Sequence, residues 1–156
     1  MRAADAILLN AREVRRRSEI AWRGIPRSSL GWKPDAEAMS AIEMVRHVLE
    51  GEYLYMLMAK ERRSVYEDRS PFAGRPLVGV EDEIRFAAPF RKEFEEMVTG
   101  FSDEDFDAIV IDRSDAGYKR RLGDFLLRAI YHEAVHCGQF LGYLRMMGAT
   151  RPTIWD

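Results

Sequence analysis

The chain has 156 residues, 47% hydrophobic and 32% charged, with 26 acidic against 24 basic side chains and a formal charge of −2. That length suits one domain, residues 1–156, and a chain of this size buries about two-thirds of the surface its unfolded form exposes. A single cysteine excludes an intramolecular disulfide and any cysteine-cluster metal site, the slight negative charge argues against nucleic acid as the main partner, and no apolar run approaches the ~18 residues of a membrane span.

The N-terminus carries no signal-peptide pattern, so the expected location is the cytoplasm. Helical periodicity begins at Ala3 and runs to Arg23, with Ile7, Leu8, Val14 and Ile20 set among charges. The run Arg15-Arg16-Arg17 reads as a solvated helix face, because acidic neighbours interrupt it. Gly24 and Pro26 end this helix, and Pro26, Gly31 and Pro34 mark a loop over 25–37. Ser40-Ala41-Ile42-Glu43 is a capping box, which gives Glu43 a structural role at the start of a helix reaching about Arg63.

That second helix has two apolar stripes, one through Ile42, Val45, Leu49, Tyr53 and Met56, the other through Met44, Val48, Gly51, Leu54 and Met58. A helix apolar on two sides is either central in its domain or shared with a partner subunit. A loop over 64–80 follows. A third helix over 81–98 contains Pro89, which predicts a kink or a break. Ser102-Asp103-Glu104-Asp105 starts a short extra turn, and Ala108–Ile111 with Asp115–Gly117 suggests a small hairpin. The last helix runs from Leu122 to Met147, with Gly148 as the residue that stops it. The expected fold is all-α, an antiparallel four-helix bundle with long loops.

All three histidines fall on these helices. His132 and His136 are four residues apart, one turn of one face, which lets two imidazoles reach one divalent ion. On a helical wheel His136 and Glu133 fall within the apolar stripe of the last helix, and His132 lies at its edge. His47 is in register with one apolar stripe of the second helix. Every histidine therefore points toward a helix–helix interior, where unpaired polar groups are costly. His132-Glu133-Ala134-Val135-His136 also matches H-E-x-x-H, the zincin pattern in which the glutamate activates water. The metzincin extension fails, with Gln139 and Gly142 where Gly and His are required, and the only acid downstream is Asp156.

Leu30-Gly31-Trp32-Lys33-Pro34, then Met39-Ser40-Ala41-Ile42-Glu43 with His47 and Glu52, resemble the N-terminal signature of the DinB/YfiT-like superfamily. His132 to Gln139, with Tyr143-Leu144-Arg145 and Gly148, resembles its C-terminal signature, usually His-x-x-x-His-Arg-Gly-Gln; Cys137 stands where the Arg is frequent. The resemblance implies a four-helix bundle whose metal, commonly zinc or nickel, is held by His47, His132 and His136. It also implies a homodimer, and a small-molecule substrate processed with a low-molecular-weight thiol as cosubstrate.

Three neutral imidazoles leave a coordination position open, as catalytic sites do. The expected activity is a metal-dependent thiol transferase acting on an electrophilic small molecule, with Glu133 as the catalytic base or as a residue that orients its neighbours. The alternatives are a hydrolase using metal-activated water and a non-enzymatic, stress-related metal-binding dimer.

Overall fold

The computed structural model describes residues 1–155. Four long helices form where periodicity places them: α1 over Ala3–Arg23, α2 over Ala41–Glu61, α3 over Val80–Gly100 and, after a four-residue α4 (Asp105–Ala108), α5 over Leu122–Met146. α2 starts at the expected capping box. The Ser40 hydroxyl accepts from the Glu43 amide at 3.4 Å, and the Glu43 carboxylate accepts from the Ser40 amide at 2.6 Å. These bonds from Ser40 hold the Glu43 carboxyl below its ordinary range. α3 runs through Pro89 without a break. Pro89 is exposed, while Phe94 and Val98 are buried and Phe86 and Phe90 are packed against the core. Burial on that side offsets the one hydrogen bond a proline removes.

The hairpin exists, shifted toward the C-terminus from its expected place. β1 (Val110–Arg113) pairs antiparallel with β2 (Tyr118–Arg121), and Gly117 takes the left-handed conformation at the end of the turn (φ 85°). Only Ile111 of this ribbon is fully buried, so alternation is a weak guide to its bounds.

α1 lies against α5 and α3, and α2 lies against the same two helices. The contacts fix directions. Along α1 and α5 residue numbers rise together, from Arg15 on Glu133 to Gly24 beside Leu144, so this pair is parallel. Arg46 on Glu83 and Glu52 on Arg91 make α2 and α3 parallel too. Arg12 on Glu95 and Arg23 on Glu81 run antiparallel, as do Met39 on Tyr143 and Tyr55 on Phe125. The expected antiparallel packing therefore holds for two of the four contacts. The reason is the segment 62–79. At ~3.3 Å per residue it is long enough to return along α2, which is about 30 Å long, so α3 starts where α2 starts.

Arg46 secures that return. Its guanidinium donates to the carbonyls of Arg75 (2.6 Å) and Pro76 (2.9 Å) and to both oxygens of the fully buried Glu83 (3.0 and 2.5 Å).

Both stripes of α2 are covered within the chain: Ile42, Val45 and Leu49 on one, Met44, Val48 and Met58 on the other are all buried. α2 is central, and of its second stripe Gly51 and Leu54 stay half-buried. The core has two apolar clusters, one around Met56, Phe94, Ile111 and Phe125, the other around Trp22, Val45, Phe72 and Phe140. Among the described residues, no helix is long and apolar enough to cross a membrane.

Candidate metal centre

His47 from α2 and His132 and His136 from α5 converge. Nε2 of His132 lies 3.0 Å from Nε2 of His47 and 3.1 Å from Nε2 of His136. One ligand atom from each of the three lies within 4.8 Å of the others. Antiparallel packing of α2 on α5 brings the rings together, and Gly51 makes room for them. A Cβ at position 51 would stand 3.1 Å from Cε1 of His132. Gly51 thus belongs to the site, although its pattern alone only places it on an apolar stripe.

The three rings cannot satisfy one another by hydrogen bonding. A neutral imidazole has one N–H, so Nε2 of His132 donates to one neighbour or offers a single lone pair to two. His47 and His132 are held less basic than usual. Burial, then the neighbouring His136 and His47, pushes His132 down to about 4; burial and His136 lower His47, against the opposing pull of Glu50 and Glu67. Three imidazole nitrogens gathered this closely suit a divalent cation, which binds the neutral form of each ring at metal–nitrogen distances of about 2.0–2.1 Å. The donor set fits such an ion.

Glu133 is buried, as its place on the wheel implies, and it faces α1. Its oxygens accept Nε and Nη2 of Arg15 at 2.8 and 3.0 Å. Arg15 also reaches Glu52 at 3.3 Å. Glu52 takes a close contact from Arg91, Arg91 donates to Glu95 at 3.1 Å, and Glu95 accepts from Arg12. This ladder of alternating charge crosses α5, α1, α2 and α3 beside the histidines. Arg15 is only 8% exposed, so the expected solvated face for Arg15-Arg16-Arg17 is wrong at its first residue. The signal was present: Arg15 continues the spacing Ile7, Ala11, Arg15, Ser18, Trp22 of buried positions.

Cys137 is buried, and burial pushes its thiol up, away from the reactive thiolate. Asp156 lies outside the described residues.

The signature residues of the two ends meet in space. Trp32 stacks edge-on against Tyr143 with centroids 5.3 Å apart, and the Tyr143 hydroxyl donates to the Met39 carbonyl at 3.1 Å. The amides of Ala41 and Ile42 donate to the carbonyls of Trp32 and Leu30. These residues fasten the loop over 25–40 to α5, two turns from His136.

A helical fold around a three-histidine centre of this kind defines a class of candidate metalloproteins. The family model of the DinB superfamily matches residues 10–140, and the chain belongs to that superfamily. The crystal structure of a DinB-like protein from Bacillus subtilis is similar to it, with 25% identity, 92% of each chain covered and a TM-score of 0.67. No curated protein matches the chain.

Proposed function

We propose that the protein is a divalent-metal-binding enzyme in which His47, His132 and His136 hold the ion and a low-molecular-weight thiol attacks a small electrophile. The observation that carries this reading is the convergence of three Nε2 atoms that cannot satisfy one another. Zinc and nickel both suit three imidazoles. When bound there, the ion supplies a Lewis-acid charge that lowers the pKa of a neighbouring thiol or water. The four-helix bundle of the DinB type, with two parallel and two antiparallel neighbours, is the scaffold in this reading.

The chain's own residues supply position. Gly51 admits the His132 ring, and Met39 and Tyr143 hold the adjoining loop. We assign Glu133 to holding Arg15 of α1 against α5, because a base role there would require it to release a bidentate guanidinium.

The test is elemental analysis of purified protein, followed by titration of the Co²⁺-loaded form with glutathione and with 2-mercaptoethanol. Near-stoichiometric metal and a thiol-dependent change in the Co²⁺ spectrum are expected. Absence of metal even after reconstitution overturns the site, and metal without a thiol response favours hydrolysis or a non-enzymatic role. His132→Ala abolishes loading if the site is as described.

The homodimer is retained as a proposal and moves from α2 to the outer face of α5. Leu127, Tyr131 and Val135 form one exposed stripe there. In an antiparallel pairing of two copies about Tyr131, Leu127 of one falls opposite Val135 of the other. A monomeric mass in small-angle scattering overturns it. A cytoplasmic location and the lack of nucleic-acid or membrane partners belong to the same reading. The negative charge and the lack of a spanning helix support it.

A further inference from the structure

A cleft of about 520 Å³ opens between the loop over 37–39 and α5, with His136 in its wall. Its size falls in the range of small-molecule sites. Met39, Met44, Tyr143 and Met146 supply its large apolar side chains, and Gln139 adds an amide one turn beyond His136. Glu37 is its one acidic side chain, and neither Lys nor Arg lines it. The approach to His136 through this cleft is therefore apolar and polarisable, and the one charged side chain in its lining, Glu37, is negative. The wall is preformed, since Tyr143 bonds Met39 and stacks on Trp32.

We propose that this cleft receives the substrate of the three-histidine centre and that it selects an uncharged or cationic molecule with an aromatic or branched-alkyl body over a carboxylate. Methionine thioethers and the Tyr143 ring pack against a ring or a branched chain with little geometric demand. In the metal-free protein a carboxylate entering the cleft would lose water with no Lys or Arg in the lining to replace it. The Gln139 amide is placed to bond a hydroxyl, amide or carbonyl on the same molecule. The role as a substrate site rests on the metal-site reading above; the binding preference does not.

Three probes with one ring and different charge separate the possibilities: phenylmethanol, benzylamine and benzoate. Each is titrated into metal-free protein carrying ¹³C-methyl methionine, and the methyl signals are followed by NMR. The expected result is saturable shifts of Met39, Met44 and Met146 with phenylmethanol and benzylamine, and binding of benzoate at least tenfold weaker. A Gly142→Leu variant supplies the control. A Cβ at 142 meets nothing within 4 Å, so the fold accepts the side chain, which then fills the cleft that residue 142 lines. This variant should lose the phenylmethanol shifts while loading Co²⁺ as the parent does. Benzoate binding as tightly as phenylmethanol, shifts confined to other methionines, no shifts, or unchanged binding by Gly142→Leu would each overturn the proposal. Failure of the parent protein to load Co²⁺ while these shifts persist overturns the metal reading alone.

Discussion

At the scale of single residues, the site depends on one missing side chain and one buried carboxylate. Gly51 is needed because His132 passes 3.1 Å from where its Cβ would stand. Gly51→Ala should displace the ring by a few tenths of an ångström and weaken metal binding about tenfold, at the lower end of what perturbing a ligand's support costs. Competition with a chromophoric chelator measures this, and unchanged affinity would show that the ring has room to spare. Arg15 and Glu133 are both buried and bidentate. Arg15→Ala leaves Glu133 without its partner and should lower stability by about 3–5 kcal/mol in urea unfolding. Combining Arg15→Met with Glu133→Leu should recover much of that loss, because an apolar pair of similar volume leaves no charge uncompensated. Equal loss in the single and double variants would locate the cost in the link to Glu52 instead.

At the scale of elements, the hairpin before α5 is tied by polar contacts more than by burial. The exposed Asp112 carboxylate accepts from Lys119 and Ser114, and the hydrogen bond from Lys119 contributes most to pulling its pKa down to about 2 from an ordinary 3.8. A carboxyl depressed in the folded state takes up protons more readily when unfolded. Its contribution to stability is therefore complete above about pH 4 and is lost as pH falls toward 2. Thermal melts of the parent and of Asp112→Asn should differ by a constant interval near neutrality, and the interval should close over that acid range. An interval that persists at pH 2 would assign the effect to packing. The capping box and the terminal glycine made α2 and α5 legible from sequence to within a residue or two. The ends of β1 and β2 were not, because one buried side chain sets no clear alternation.

At the scale of the whole molecule, a metal held by the three histidines would link binding to folding. The three candidate ligands come from two helices, and Arg15 and Glu133 join α5 to α1. A ligand that binds only the folded chain stabilises it by about 2.7 kcal/mol at a hundredfold excess over its dissociation constant. Zinc at that excess should raise the melting temperature by several degrees in differential scanning calorimetry, and a chelator should reverse the rise. His47→Ala should remove the response while leaving the metal-free melt near that of the parent. A response that survives in this variant would place the ion elsewhere.

The order of elements, the capping box and the three inward histidines could be read along the chain, because each depends on residues a few positions apart. His132 and His136 share a face by helical spacing alone, and His47 was singled out by its own stripe. The long-range contacts were decided only in three dimensions. Whether α3 runs with or against α2 depends on the return of the segment 62–79 and on Arg46 bridging to Glu83. Whether Arg15 is solvated depends on Glu133, far away in sequence and adjacent in space. The place left for His132 by Gly51, and the cleft between Met39 and Tyr143, exist only once α2 and α5 pack. Local hydrogen bonding and periodicity determine which residues face inward; tertiary packing determines what each of them meets there.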